Sequence, residues 1–344
     1  MLKRRPRIVD VAKAAGVSPG TVSNVLNRTR PVDDATREKV LTAVARLGYT
    51  PDVRAQRLRT GRAATIAILS SMPFAIAAGP SRLGFLMEVA AAAAAVALER
   101  GVALVLVPPV EADRAPIEQL DVSGVLVVEP LADDPEVARL RARGIPVVSI
   151  GRQSDAPEQP HVDLQSTLTA RLMLNHLRAQ GSRRTALIIG AQSRNSYRET
   201  EAEYDTFIRR HRMPKRLLQL DETAGVAAAH AACLRLLTDD PEIDALCVPV
   251  DAFATGALQA ANELGRRVPK SLRIVTRYDG LRARESRPQL TAVNLHLDAV
   301  AAAAVHLLLD VMAGTTSDVS RTGPPPSLIV RESSQRFDNT SPPG

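Results

Sequence analysis

The sequence predicts a small all-α unit at the N-terminus, followed by an α/β core of two doubly wound parallel-sheet lobes. Helical patterns and a strong positive charge fill residues 1–62, and apolar strand-like runs begin only at Thr65. Beyond that point, runs that would be buried on both faces alternate with helices, which is typical of a parallel sheet. Because 344 residues exceed one ordinary domain, two similar lobes are more natural than one large sheet.

The first two helices are marked by apolar spacing and by the residues between them. Ile8–Ala15 carries apolar side chains at helical spacing, and Gly16 breaks the pattern, since glycine adopts the left-handed conformation readily. Ser18 and Pro19 are typical of the cap and first turn of a second helix, whose apolar stripe ends at Leu26. Two short helices joined by a tight turn form a helix-turn-helix, which places its second helix in the major groove of DNA.

A third helix begins at the Asp33–Asp34 pair and ends at Gly48. Its predicted buried face consists of Val40, Leu41, Val44 and Leu47. The net charge of +7 is concentrated in this region: residues 1–62 hold fourteen Lys and Arg against five Asp and Glu, and the rest of the chain holds thirty against thirty-two. A polyanion is therefore the expected partner of the N-terminal unit.

These residues resemble the headpiece of the LacI/GalR family of bacterial regulators. The resemblance is carried by Ile8–Asn27 (IVDVAKAAGVSPGTVSNVLN), Thr36–Val40, Leu47–Pro51 and Arg57–Gly61, in the order of turn, cap, third helix and hinge that the family has. It implies a helix-turn-helix DNA-binding domain at 1–50 and a hinge helix with its linker at 51–62.

The resemblance implies that DNA is contacted first by the recognition helix. The residues expected at this contact are Ser18, Pro19, Gly20, Thr21, Ser23, Asn24, Asn27 and Arg30. Asn24 and Arg30 suit hydrogen bonds to adenine and guanine. Thr21, Ser23 and Asn27 suit phosphate contacts, although Thr21 and Ser23 could equally be plain helix surface. Gly20 has no side chain, so base discrimination at its position is expected to be weak.

The second implied contact is the hinge, in which Leu58 occupies the position of a leucine that the family drives between base pairs. An apolar wedge of this kind unstacks a base step and bends the duplex. Arg54 and Arg57 are placed to neutralise phosphates. The alternative, that Leu58 packs in an intramolecular core, has little support in a segment so rich in arginine.

The resemblance extends more diffusely through the core, which is similar to periplasmic sugar-binding proteins. The strand-like runs are Thr65–Leu69, Val102–Val107, Gly124–Val128, Pro146–Ile150, Thr185–Ile189, Ala245–Val250, Leu272–Thr276 and Ser327–Val330. The effector-binding and dimerisation core is expected at 63–335, with an N-lobe at about 63–162 and 293–319 and a C-lobe at about 163–292 and 320–335. The chain would cross between the lobes near 163, 292 and 320, and 336–344 would be a disordered tail.

A small-molecule site is expected between the lobes, at the carboxyl ends of the strands. Its candidate residues, each following a strand, are Ser71, Phe74, Arg194, Ser196, Arg198, Asp251 and Asp279. The resemblance implies that Arg194 or Arg198 clamps the ligand and that the two aspartates accept hydrogen bonds, as a hydroxyl-bearing ligand such as a sugar requires. Each could instead be a surface charge or a cap. Val250 and the Asn294–Leu295 pair depart from the family pattern and put a simple sugar in doubt.

Three other classes of protein compete with this interpretation. An enzyme is disfavoured because the six histidines are scattered and no catalytic or phosphate-binding motif occurs, and we expect no cofactor and no metal. A plain solute-binding protein would not carry a headpiece of this charge. A DNA-binding regulator with no effector, or with a non-sugar effector, stays open.

The expected assembly is a homodimer on a double-stranded operator, since two-fold protein symmetry demands a pseudo-palindromic site. Repression is the common outcome in the family. The sequence has no apolar segment long enough to span a membrane and no signal-peptide pattern, so we expect no membrane partner and a cytoplasmic location.

Overall fold

The computed structural model describes residues 8–27, 31–47, 65–77, 84–108, 117 and 120–335. The chain divides into two compact units at the junction of Ala63 and Ala64. Within the described residues, no helix is long and apolar enough to cross a membrane.

The N-terminal unit contains three helices, α1 (Ile8–Ala15), α2 (Pro19–Asn27) and α3 (Asp34–Leu47). Gly16 ends α1 at a φ of +67°, and the Val17 amide turns back to the Ala12 carbonyl at 3.0 Å, as expected for a glycine-terminated helix. A small aliphatic core joins the helices. It consists of Val11, Ala12, Val22, Val25, Val40 and Ala43.

Helix α3 begins as predicted, and its packed face includes Val40, Val44 and Leu47 but not Leu41. The Thr36 amide donates to the Asp33 carboxylate at 2.9 Å, so Asp33 caps the helix. Ala43 is buried beside Val40, whereas Leu41 is 49% exposed. The prediction that Leu41 belongs to the buried face is therefore wrong, because one helical turn separates Val40 from Ala43 and Val44 on the packed side.

The N-lobe is a six-stranded parallel sheet with strand order β2-β1-β3-β4-β5-β11. The strands are β1 (Thr65–Ser70), β2 (Ala103–Leu106), β3 (Gly124–Val128), β4 (Val147–Ile150), β5 (His161–Asp163) and β11 (Ser320–Thr322). The helices of this part are α4 (Phe74–Ala77), α5 (Phe85–Glu99), α6 (Pro135–Ala142) and α12 (Leu297–Ala313). The strand order reverses between β1 and β3, which is where such sheets bind ligands.

The C-lobe repeats this arrangement with the order β7-β6-β8-β9-β10-β12. The strands are β6 (Thr185–Gly190), β7 (Leu217–Leu220), β8 (Ala245–Val248), β9 (Arg273–Thr276), β10 (Thr291–Asn294) and β12 (Ser327–Ile329). The helices are α7 (Ser166–Ala179), α8 (Asn195–His211), α9 (Gly225–Asp239), α10 (Asp251–Glu263) and α11 (Leu281–Glu285). The edge strand β12 runs antiparallel to β10, and the other pairings are parallel.

The chain passes between the two sheets three times, after β5, after β10, and between β11 and β12. The first passage lies between Asp163 and Ser166, where the expected position is near 163. The second and third lie a few residues later than the expected 292 and 320, because Thr291–Asn294 pairs with β9 and Ser320–Thr322 pairs with β5.

Candidate functional site

The recognition helix α2 is held at its start by side-chain hydrogen bonds. The Ser18 hydroxyl accepts from the Thr21 amide at 3.1 Å and lies 2.9 Å from the Thr21 hydroxyl. Ser18, Pro19 and Gly20 are exposed, and Thr21 and Asn24 are half-buried. The helix thus presents its first turn outward, which is the end that enters the major groove in this motif.

Other residues of the predicted DNA contact are placed differently. Ser23 is 4% exposed, so its hydroxyl is not open to a phosphate in this arrangement. Asn27 ends the helix. The remaining predicted contacts, Arg30, Arg54, Arg57 and Leu58, lie outside the described residues, as do the hinge and the tail beyond 335.

The cleft between the lobes is built around Arg194, whose side chain is fully buried. Its Nε and Nη2 donate to the two oxygens of Glu222 at 3.2 and 3.0 Å. The same guanidinium donates across the cleft to the main-chain carbonyls of Ser71, at 2.9 Å, and Glu129. Burial is the largest single influence and opposes its charge, but the hydrogen bonds to Glu222 and the nearby negative charges of Glu222 and Glu129 together raise the pKa of Arg194.

A second buried pair, Arg277 with Glu129, crosses the same cleft. Glu129 follows β3 of the N-lobe and Arg277 follows β9 of the C-lobe, and their charged groups are in contact. The other Glu129 oxygen accepts from the Ser196 hydroxyl at 2.7 Å. The Arg277 guanidinium also lies 5.7 Å from the centre of the Phe85 ring. Residues of both lobes thus satisfy one another's charges.

Two tyrosines complete the buried network. Tyr197 donates to Glu222 at 2.6 Å, and Tyr278 donates across the cleft to Glu88 at 2.5 Å. Burial raises the pKa of both phenols, and the adjacent carboxylates raise it further. Both hydroxyls are therefore fixed as neutral donors at any ordinary pH.

The two predicted aspartates have arginine partners within the C-lobe. Asp251 begins α10, is paired with Arg282 at 3.1 Å and accepts from the Ala252 amide at 2.8 Å. Burial raises the pKa of Asp251 in spite of these contacts. Asp279 lies 2.6 Å from Arg331 and 3.1 Å from Arg284. Burial would raise its pKa, but these two arginines hold the pKa of Asp279 below its usual value.

The other predicted residues of this site are spread around it. The Ser71 hydroxyl donates to Asp134, which caps α6, so this side chain points into the N-lobe. Arg198 is 59% exposed and lies 3.6 Å from Asp155. Phe74 is the first residue of α4.

A cavity of about 30 Å³ remains between the lobes, enough for about two water molecules. It is lined by Met72, Ile76, Phe85, Glu129, Ser196, Tyr197, Pro249, Val250, Asp251, Arg277 and Tyr278. Ser196 and Asp251 are the predicted site residues that reach it. No cluster of side chains suited to a metal ion occurs among the described residues.

Sequence reasoning missed Glu129, Glu222 and Arg277. Each follows directly or within two residues on a strand (β3, β7 and β9), so the rule that selected Asp251 could have found them. Glu222 was missed because Leu217–Leu220 was not predicted as a strand. Arg277 was passed over in favour of Asp279, two residues further on.

A helix-turn-helix unit followed in the chain by two α/β lobes with a cleft between them defines the class of DNA-binding regulators with a periplasmic-binding-protein-like core. Known protein families match both the N-terminal unit and the core. Residues 7–52 match the family described as bacterial regulatory proteins, lacI family, and residues 174–334 match a periplasmic binding protein-like domain.

Similar proteins match this chain over nearly its whole length. The chain is 32% identical to the HTH-type transcriptional regulator CelR of Thermobifida fusca, over 96% of this chain and 99% of CelR. A structure of a CelR–cellobiose complex superposes with a TM-score of 0.70 at 28% identity, over 96% of this chain and all of that one. The Lac repressor dimer bound to operator and an anti-inducer gives 0.70 at 25% identity, over 97% of this chain and all of that one. The chain belongs to the lacI family of bacterial transcriptional regulators, and it is not an enzyme.

Proposed function

We propose that this protein is a homodimeric repressor whose affinity for a pseudo-palindromic operator is modulated by a small polar metabolite bound between the lobes. The observation that carries the proposal is the cleft, where charged groups of the two lobes meet around Glu129. A ligand that replaced these contacts would change the angle between the lobes. Such a change couples two sites when each ligand prefers a different arrangement.

The relatives support a hydroxyl-bearing effector. CelR is known in complex with cellobiose. In this chain, Glu129, Ser196 and Arg277 could exchange their mutual hydrogen bonds for bonds to ligand hydroxyls, and Asp251 could exchange its pair with Arg282. Phe85 offers an apolar face. The remaining cavity is much smaller than a sugar, so binding requires the lobes to separate or these side chains to rearrange.

A regulator with a non-sugar effector, or with none, is the second candidate. It is favoured by buried contacts that the protein itself makes between the lobes: Arg194 donates to the Ser71 and Glu129 carbonyls, and Arg277 pairs with Glu129. A thermal-shift screen of the full chain distinguishes the two. Stabilisation by a sugar supports the first candidate, and stabilisation by other metabolites only, or by none, supports the second.

The DNA-binding part is tested by selecting bound sequences from random duplexes. We expect two related half-sites with opposite orientation, and competition by the effector found in the screen. The proposed wedge is tested separately by Leu58→Ala, which should weaken binding of the selected duplex and reduce its bend. An unchanged bend angle in a permutation gel assay would refute the role of Leu58.

A further inference from the structure

The loops that precede β6, β7, β8 and β9 carry positive charge that the sites described above do not use. These strands are parallel, so the loops that precede them lie together at the amino-terminal ends of the strands in the C-lobe sheet. The cleft lies at the opposite, carboxyl-terminal ends. We call this surface the basic face. It consists of residues 176–184, 209–216, 239–244 and 263–273, which hold twelve Lys and Arg against five Asp and Glu. The core as a whole is slightly acidic.

Most acids of the basic face are already engaged by their neighbours. Asp240 accepts from Arg216 at 2.6 Å, and Glu242 lies 2.8 Å from Arg184. Asp244 accepts from the backbone amides of the adjacent loop at 2.8 and 3.0 Å. Little carboxylate is left to neutralise the other cations.

Six exposed arginines of the basic face have no carboxylate partner among the described residues. They are Arg178, Arg183, Arg209, Arg210, Arg212 and Arg267. Their crowding affects His211, whose pKa is lowered by burial and also by Arg178 and Arg210. Concentrated, unneutralised charge of this kind attracts a polyanion.

We propose that the basic face binds the phosphate backbone of duplex DNA without reading its sequence, so that the core can hold a second DNA segment. Guanidinium groups match phosphate oxygens in a bidentate geometry. A protein partner would need an apolar anchor, and Leu264, at 37% exposed, is the one exposed large apolar side chain on these loops. The proposal rests on DNA being the partner of the headpiece, since DNA held there raises the local concentration of duplex at the core.

The test uses the full chain and two unrelated 20-bp duplexes, one labelled with a donor dye and one with an acceptor. Energy transfer reports a complex that holds both. The variant Arg183→Gln/Arg209→Gln/Arg210→Gln removes three charges from the basic face. The matched control, Arg100→Gln/Arg141→Gln/Arg143→Gln, removes three charges from exposed arginines of the N-lobe.

We expect the basic-face variant to form pairs of duplexes about tenfold less well, while the control stays within about twofold of the wild type. The slope of log affinity for the second duplex against log salt should fall by about 3, since each phosphate contact contributes about 0.9. Circular dichroism verifies that both variants fold, as expected for exposed substitutions.

Three results would overturn the proposal. One is equal pairing by the basic-face variant and the wild type. Another is a variant that loses binding to polyglutamate but keeps both duplexes, which would assign the face to an acidic protein. If the wild type binds no single duplex, the proposed function fails as well, whereas a variant that keeps single-duplex binding and loses pairing supports both.

Discussion

The start of the recognition helix and the cleft differ in how far they expose the residues predicted to bind partners. Ser18, which precedes α2, and Pro19 and Gly20 of its first turn are exposed. In the cleft, Arg194 and Glu222 are fully buried and satisfy each other. The headpiece is therefore built to meet an external partner directly, whereas a ligand of the cleft must first replace partners that the protein supplies. This difference predicts that substitutions in the cleft reduce the stability of the fold, whereas substitutions in the recognition helix reduce the recognition of DNA.

The largest expected effect is in the cleft. Arg194→Met leaves the Glu222 carboxylate buried without its cation, which should lower the free energy of unfolding by about 3–5 kcal/mol in a urea titration. Arg198→Met is the matched control, because Arg198 is exposed and its pair with Asp155 should contribute less than about 1 kcal/mol.

A second variant shows whether the unpaired Glu222 carboxylate causes the loss of stability. Arg194→Met/Glu222→Gln removes that charge and should recover part of the loss. If Arg194→Met proved no more costly than Arg198→Met, the cleft charges would not be coupled as described.

In the headpiece, Asn24→Ala should affect recognition of the operator. We expect the variant to lose about 1–3 kcal/mol of discrimination at one base pair per half-site. The measurement is the affinity for the selected duplex and for single-base variants of it. A uniform loss across all duplexes would instead mark Asn24 as a backbone contact.

Ser18→Ala should have a smaller effect, which is confined to the stability of the headpiece. The hydroxyl accepts from the Thr21 amide, and loss of such a cap costs about 1 kcal/mol. Hydrogen exchange of headpiece peptides should therefore accelerate about fivefold, while the core is unaffected. Ser18→Asp retains a capping oxygen and should exchange like the wild type. Equal acceleration in both variants would show that the cap is not the cause.

The two units also differ in how far sequence predicted them. The headpiece helices follow from Gly16, Ser18 and Asp33, which act locally, and on the described face of α3 the prediction failed at Leu41. In the core, eight of the described strands were predicted, but Leu217–Leu220, Thr291–Asn294, His161–Asp163 and Ser320–Thr322 were not. The last two have the weakest sequence pattern. These strands are three residues long, and Ser320–Thr322 is mostly exposed, so they lack the alternation or burial that a pattern can detect.

The cleft shows a different limit of prediction from sequence. Arg194 was selected from its place after a strand, but its partners Glu222 and Glu129 lie 28 and 65 residues away. Local pattern reveals which side chains reach the end of a strand, and only the assembled lobes decide which of them pair. A predicted ligand clamp and an internal ion pair therefore look the same in sequence.

The smallest expected effect concerns the C-terminal segment, which is held to the core by a buried histidine. His176 lies 2.7 Å from the Ser334 hydroxyl, and burial lowers its pKa below the usual 6.5. The unfolded chain therefore takes up a proton first as pH falls below about 6.5, so stability decreases there and is independent of this group above it. The loss should be a fraction of the about 1.4 kcal/mol per pH unit that one full proton gives. Urea titrations at pH 7.5 and 5.5 measure it, and His176→Gln should lose this part of the pH dependence while His211→Gln retains it; an identical pH profile in wild type and His176→Gln would rule the group out.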